Sequence, residues 1–135
     1  MNNQDHLITK AGKILIVDDE PYNIRVLQLK FENAGYTVIS ATNGLDGLNK
    51  FKTECPDIII SDIKMPVMNG KEMCQAIKEV GNANKIFIIV MTSTIDQPER
   101  LWVSDINNAC LVEKPISPNL LLALVEKNMN KCASE

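Results

Sequence analysis

The stretch ILIVDD, residues 14–19, is an apolar run that ends abruptly on two acidic residues. Three further apolar runs end on polar residues in the same way: IIISD at 58–62, IFIIVMT at 86–92 and CLVEKP at 110–115. Short, continuously apolar runs are typical of strands buried in a parallel sheet. The strands of such a sheet all end at one edge, where ligands bind. The sequence therefore predicts one site formed by five residues: Asp18, Asp19, Asp62, Thr92 and Lys114.

Helical patterns lie between these runs, so strands and helices alternate along the chain. The predicted strands are Lys13–Val17, Tyr36–Ser40, Asp57–Ser61, Lys85–Met91 and Ala109–Val112. The predicted helices are Pro21–Asn33, one around 45–51, one opened by Gly70, one around 98–106, and Pro118–Met129 with Ser117 as its N-cap. Strict alternation predicts an α/β fold with a parallel sheet covered on both faces. The first, third and fourth strands are the most apolar and belong at the centre, which gives the doubly wound, flavodoxin-like order 2-1-3-4-5.

Length and composition indicate one globular domain. The chain has 135 residues, of which 45% are hydrophobic and 23% charged. We assign residues 13–130 to the domain, 1–12 to a polar N-terminal lead-in and 131–135 to a short C-terminal tail. No apolar run reaches the length of a membrane span and the N-terminus lacks the apolar core of a signal peptide, so a cytoplasmic protein is expected. The net charge is −3 and no basic face is predicted, so direct nucleic-acid binding is not expected.

The positions of the cysteine and histidine residues argue against two kinds of site, a zinc site and a site that depends on a catalytic histidine. The four cysteines, Cys55, Cys74, Cys110 and Cys132, form no CxxC pair, which favours free thiols in a reducing compartment over a zinc site. The single histidine, His6, lies in the lead-in. Mechanisms that depend on a catalytic histidine are therefore not expected.

The acidic pair Asp18-Asp19 predicts a metal site. Two adjacent carboxylates at one pocket repel each other, and a bound divalent cation offsets that repulsion. Oxygen ligands favour Mg²⁺, which typically takes one or two carboxylates together with phosphate oxygens and water. The simpler interpretation is that the two acidic residues only stabilise the N-terminus of the helix that begins at Pro21.

Asp62, Thr92 and Lys114 complete a set suited to phosphoryl transfer. The carboxylate of Asp62 can attack phosphorus and form an acyl phosphate, provided that positive charge lies beside it. Thr92 can donate a hydrogen bond to a phosphoryl oxygen, and Lys114 can pair with Asp62. Taken singly, each has a simpler interpretation: a turn aspartate, a turn-forming hydroxyl and an exposed lysine. The Pro- and Gly-containing segment 65–70 also carries two methionines, which predicts a loop packed against the body of the domain.

The sequence resembles the receiver domains of two-component response regulators over about residues 13–130. The matching segments are ILIVDDE at 14–20, DIKMPVMNG at 62–70, MTS at 91–93 and the dipeptide Lys114-Pro115. The resemblance implies that Asp62 is the phosphoacceptor and that a sensor histidine kinase or a phosphotransfer protein is the donor. It also implies a set of magnesium ligands: the carboxylates of Asp19 and Asp62, the backbone carbonyl of Lys64, and Asp18 through water.

The resemblance has three further implications. The Lys114-Pro115 bond is expected to be cis, and the first helix is the expected docking face for the kinase. Phosphorylation is expected to change a surface of the fourth helix, fifth strand and fifth helix that binds a downstream protein; pairing of two copies there is an open alternative. Lys64 borders the expected phosphoryl position, so we hypothesise that it alters the lifetime of the phosphoryl group. Leu111 departs from the pattern, because receivers usually carry a switching Tyr or Phe at that place.

Other functions remain compatible with the same residues. A small phosphohydrolase with an aspartyl-phosphate intermediate is one, although such enzymes carry the nucleophile after strand one in a D-x-D pattern. A receiver segment of a hybrid histidine kinase and a scaffold of receiver shape are others. A nucleotide- or flavin-binding module is disfavoured, because the acidic loop 18–21 would repel phosphate without a cation.

Overall fold

The computed structural model of the protein describes residues 12–80, 86–93 and 97–133. The strands are β1 (Lys13–Val17), β2 (Thr37–Ala41), β3 (Ile58–Asp62), β4 (Phe87–Thr92) and β5 (Ala109–Glu113). The helices are α1 (Pro21–Asn33), α2 (Gly44–Glu54), α3 (Gly70–Lys78), α4 (Gln97–Ser104) and α5 (Pro118–Ala133). None of these helices combines the length and the apolar character needed to cross a membrane.

The five strands form one parallel sheet in the order β2-β1-β3-β4-β5. This confirms the predicted fold class and strand order. Every residue of β3 is buried, as the apolar character of this central strand predicted, whereas β2 and β5 are partly exposed at the two edges. The site-bearing ends of β1, β3, β4 and β5 are consequently adjacent.

Four of the strands end one residue later than the sequence pattern predicted. Asp62 pairs with Met91 and Thr92 pairs with Glu113, so both polar residues are rungs of the ladder. The predictions for β3 and β4 stopped before the polar residues Asp62 and Thr92, whereas ladder hydrogen bonds are made by the backbone and tolerate a polar side chain. The backbones of Asp62 and Thr92 are therefore fixed by the sheet. Part of the predicted fourth strand, Lys85, lies outside the described residues.

Alternating side chains of the strands form two separate cores. On one face, Ile14, Ile16 and Ile60 pack with α1 and α5; we call this the α1/α5 core. On the other face, Leu15 and Ile59 pack with α2, α3 and α4; we call this the α2–α4 core. The alternation follows from the two-residue period of side chains along a strand.

Side chains define three helix starts. Asn43 accepts a hydrogen bond from the N–H of Asp46, and Ser117 accepts one from the N–H of Leu120 at 3.3 Å. Asn69 and Glu72 form a reciprocal capping box in which Asn69 is the N-cap, and α3 begins at Gly70, as predicted. At the other end of the chain, α5 runs to Ala133, four residues past the predicted Met129, because no helix-breaking residue follows Met129.

Candidate functional site

The carboxyl ends of β1 and β3 bring three carboxylates together. One oxygen from each of Asp18, Asp19 and Asp62 lies within 4.8 Å of the others. Asp62 is the last residue of β3, and the acidic pair directly follows β1, its neighbour in the sheet. The structure thus brings together the three acidic residues for which the sequence predicted a common site.

Asp18 is the most deeply buried of the three, with 1% of its surface exposed. Its Oδ1 accepts a hydrogen bond from the N–H of Glu20 at 2.9 Å, and its Oδ2 accepts one from Nδ2 of Asn23 at 3.4 Å. Burial raises the pKa of Asp18 above its ordinary value and the charge of Asp62 adds to the rise, while the hydrogen bond from Glu20 and the charge of Lys114 oppose it. The ionised form of Asp18 is therefore costly here unless more positive charge is supplied.

Asp62 is held by two hydrogen bonds. It is 8% exposed, its Oδ1 accepts a bond from the N–H of Ile63 at 2.8 Å, and its Oδ2 accepts one from Nζ of Lys114 at 3.1 Å. Charge-assisted bonds of this kind are among the stronger hydrogen bonds in proteins. The structure therefore places the ammonium group where the sequence predicted it, beside the carboxylate at the end of β3.

Lys114 is positioned by the strand that precedes it. Its backbone N–H donates to the carbonyl oxygen of Thr92 at 2.7 Å, which extends the contact between β4 and β5 beyond the last paired residues. The Lys114-Pro115 peptide bond is cis, as the resemblance implied.

An open cavity of about 260 Å³ lies over Asp62. The residues that line it are Asp62, Ile63, Lys64, Thr92, Ser93, Glu99 and Lys114. Thr92 is buried at the end of β4, whereas Lys64 is exposed. The lining thus offers a tetrahedral anion two hydroxyl residues, Thr92 and Ser93, and two lysines.

The loop between β3 and α3 is fixed at two glycines. The N–H of Gly70 donates to the carbonyl of Ile63 at 2.7 Å, and the N–H of Gly44 donates to that of Met68 at 2.8 Å. A Cβ added at Gly70 would lie 2.3 Å from the carbonyl oxygen of Asp62, so only glycine fits there. The side chains of Met65 and Met68 pack against the α2–α4 core, which confirms that the methionines pin this loop.

Val67 lies at the tip of the same loop in a strained conformation. Its φ is +69°, and the N–H of Met68 donates to the carbonyl of Pro66 at 2.7 Å around it. A left-handed φ is an outlier for a β-branched residue, and a three-residue turn with positive φ is rare and strained. The side chain is 75% exposed, so little burial compensates for this strain.

The donor set fits a hard divalent cation. Three carboxylates converge, one of them is almost completely buried, and the only ammonium group bonded to them among the described residues is that of Lys114. Oxygen-only ligands with an excess of negative charge are what Mg²⁺ requires. Lys64 lies beside Asp62 in the cavity, and the role of its backbone carbonyl stays a prediction.

Sequence reasoning missed two contributors to the site. Asn23 contacts Asp18 from the first turn of α1, and Glu99 reaches the cavity from the first turn of α4. The sequence does contain a signal for both residues. A helix that follows one of the strands ending at the site begins at the same edge of the sheet, and a polar residue in its first turn faces that edge. The sequence pattern alone could not show which residue of each turn points inward.

Comparison with known proteins gives one consistent family. The family model described as the response regulator receiver domain matches residues 14–126. Among curated proteins, the chain is 35% identical over 124 residues to the probable transcriptional regulator ycf27 of Guillardia theta, covering 90% of this chain and 48% of that protein. The chain thus spans about half the length of the transcriptional regulators with which it aligns.

Solved structures agree with this match. A CheY-like response regulator receiver domain protein from Methanospirillum hungatei JF-1 has a TM-score of 0.81 and 26% identity, with 90% of this chain and 96% of that chain covered. The signal receiver domain of a signal transduction histidine kinase from Syntrophus aciditrophicus has a TM-score of 0.80 and 28% identity, with 90% and 92% covered.

Proposed function

The chain belongs to the response regulator receiver domain family, and from that membership we propose that it is a phosphorylation switch in which Asp62 accepts a phosphoryl group from a histidine kinase or a phosphotransfer protein. One observation carries this proposal above all others. Asp62 lies within 4.8 Å of two further carboxylates and 3.1 Å from the ammonium of Lys114, at the floor of an open cavity. An aspartate that only stabilises the fold does not need such an arrangement.

The proposed step exchanges one bond to phosphorus for another. A carboxylate oxygen of Asp62 attacks the phosphorus of a phosphorylated imidazole, the P–O bond forms, and the P–N bond breaks. The electron pair of that bond stays on the imidazole nitrogen of the donor. Lys114 then pairs with an oxygen of the transferred group, and Thr92 donates a hydrogen bond to another.

We propose that Asp19 and Asp62 hold Mg²⁺ directly, with the backbone carbonyl of Lys64, and that Asp18 acts through water. When bound, the ion supplies positive charge that offsets the repulsion between the anionic donor and the anionic acceptor. The raised pKa of Asp18 and the crowding of the three carboxylates support this assignment.

The donor is proposed to dock beside α1. A cavity of about 390 Å³ opens between α1 and the loop after β5, with Asp18 and Lys114 among its lining residues. Tyr22, which is 74% exposed, and Val26 give this opening an apolar rim. An apolar side chain of the donor that enters it would bring the donor imidazole close to Asp62.

The domain itself is proposed to act as a switch rather than as an enzyme or a nucleic-acid-binding module. The matched proteins are transcriptional regulators and receiver domains, which are not turnover enzymes. The matched transcriptional regulators extend over about twice the aligned length, so their regulation of genes is not carried over to this chain. The described cysteines, Cys55, Cys74 and Cys110, are all free thiols, which supports a cytoplasmic setting.

Phosphorylation by a small donor tests the proposal. The protein is incubated with phosphoramidate in the presence of Mg²⁺ or of a chelator, and the intact mass is measured. We expect one phosphoryl group with Mg²⁺, little with the chelator, and none on Asp62→Asn. Asp46→Asn, which changes a half-exposed helical aspartate away from the cavity lining, is the matched control and should be labelled like the wild type.

Two outcomes would overturn the proposal. Labelling of Asp62→Asn at the wild-type level would place the phosphoryl group elsewhere. Sustained release of phosphate from a small phosphoester, well beyond one equivalent per protein, would indicate the phosphohydrolase instead.

A further inference from the structure

The cavity over Asp62 contains a second carboxylate that the proposed transfer does not use. Glu99, in the first turn of α4, lines this cavity together with Asp62, Lys64 and Lys114. Within residues 12–80, 86–93 and 97–133, no cation lies within ion-pair distance of Glu99, and no anion lies within that distance of Lys64. Glu99 is therefore an anion in the lining of the acceptor's cavity without an ion-pair partner in the described part of the chain.

Phosphorylation would upset the balance of charge in this cavity. Before the reaction, the cavity lining contains two carboxylates, Asp62 and Glu99, and two lysines, while a cation bound at the three clustered aspartates would offset the charges of Asp18 and Asp19. A phosphoryl group at neutral pH carries a charge of about −1.5 to −2, so it adds roughly one negative charge to that of the Asp62 carboxylate that it replaces. The cavity then becomes net negative, and like charges in a partly buried site are screened less than on an open surface.

The groups around the cavity differ in how firmly they are held. Asp62 and Thr92 are paired in the sheet, and Lys114 is hydrogen-bonded to Thr92 through its backbone and to Asp62 through its side chain. Glu99, by contrast, is carried by α4, a helix of only eight residues. The helix is the part of the cavity wall that can move without breaking the sheet.

We propose that Glu99 couples phosphorylation of Asp62 to the position of α4, because repulsion from the phosphoryl group moves the first turn of α4 away from the cavity. This inference rests on the proposed function of Asp62. In this way a change of charge at Asp62 alters the α4 surface. No switching aromatic side chain is needed at the position that Leu111 occupies. Leu111 and Trp102 both pack against the α2–α4 core, so movement of α4 changes the surroundings of Trp102.

The single tryptophan makes the inference measurable. Trp102 is the only tryptophan in the chain and follows Glu99 by three residues on α4. Its fluorescence is recorded while Mg²⁺ and beryllofluoride, an anion of phosphoryl size, are added, and separate samples without beryllofluoride are labelled with phosphoramidate for mass measurement. The variants are Glu99→Gln, Glu99→Asp and Asp105→Asn, the last being a matched loss of charge three residues after Trp102 and outside the cavity lining.

We expect the wild type, Glu99→Asp and Asp105→Asn to show similar changes in fluorescence. Glu99→Gln should lose at least half of this amplitude and bind beryllofluoride roughly three- to tenfold more tightly, because the repulsion is gone. An unchanged amplitude in Glu99→Gln overturns the inference, whatever the affinity. A wild type that is labelled on Asp62 without any change in Trp102 fluorescence also overturns it and leaves the proposed function intact. A wild type that is not labelled removes both.

Discussion

Replacement of Asp18 by asparagine should stabilise the metal-free protein, although Asp18 is central to the candidate metal site. Asp18 is almost completely buried and lies beside Asp62. Asparagine has nearly the same shape and can still accept the hydrogen bond from the N–H of Glu20. The substitution therefore removes a buried negative charge and leaves the backbone contact in place.

The size of the effect follows from the distances. At the 4.8 Å limit of separation and an effective dielectric constant of about 20, repulsion between the carboxylates of Asp18 and Asp62 costs roughly 3 kcal/mol. The lost attraction to Lys114 and the weaker bond from Glu20 each offset part of this gain; a neutral hydrogen bond contributes about 1 kcal/mol less than a charged one. We expect a net rise of about 1–2 kcal/mol in the free energy of unfolding of Asp18→Asn at neutral pH.

Urea unfolding with a chelator and with Mg²⁺ separates the two roles of the site. In chelator, Asp18→Asn should be more stable than the wild type, whereas Asp19→Asn, which changes an exposed residue, should differ by less than about 0.5 kcal/mol. A ligand at about 100 times its dissociation constant stabilises the folded state by about 2.7 kcal/mol. We expect Mg²⁺ to raise the free energy of unfolding of the wild type by an amount of this order. The same addition should raise that of Asp19→Asn far less.

The sign of the pH dependence provides a second check. The pKa of Asp18 is higher in the folded protein than in the unfolded chain. The stability that Asp18 contributes is therefore fully present below its pKa in the unfolded chain and is lost as the pH rises through its pKa in the folded protein. The advantage of Asp18→Asn should therefore grow from acid to neutral pH. A variant that is less stable than the wild type in chelator at neutral pH, with unchanged secondary structure, would refute the reasoning.

Three further predictions concern the loop beside Asp62 and the thiols. Gly70→Ala should destabilise the protein by at least about 2 kcal/mol in urea unfolding, because its Cβ would meet the carbonyl of Asp62; a gain, as usual for glycine to alanine in a helix, would contradict the contact. Val67→Gly should raise the free energy of unfolding by about 1 kcal/mol through relief of the left-handed strain, and a loss of stability would count against that strain. Exposed Cys55 should react with a thiol reagent at once, while burial, which raises the pKa of Cys74 to about 12, should protect it until the protein unfolds; equal rates would contradict the burial.

Much of the fold could be predicted because the sheet depends on apolar periodicity. The apolar run at 14–17 and the all-isoleucine run at 58–60 identified central strands, and alternation with helices then left few topologies. The meeting of Asp18, Asp62 and Lys114 followed from the same rule, since parallel strands end at one edge. These features depend on which residues avoid water, and the sequence shows that directly.

What could not be predicted depends on backbone geometry and on distances between separate segments. The strand ends were placed too early because hydrophobicity falls at Asp62 and Thr92 while the backbone ladder continues. The left-handed Val67 contradicts its own conformational preference, so no propensity could have indicated it. Glu99 reaches the cavity from a helix whose approach to the sheet is set by tertiary packing.

The separation of the two cores by the sheet has a consequence for engineering. Tyr22 and the donor-facing rim belong to the side packed on the α1/α5 core, whereas Trp102 and α4 belong to the other side. Among the residues that the structure describes, the two sides share the strands' backbones but no core side chain. The proposed donor face and the proposed α4 output face therefore lie on opposite sides of the sheet, and we predict that either can be redesigned without changing the core that supports the other.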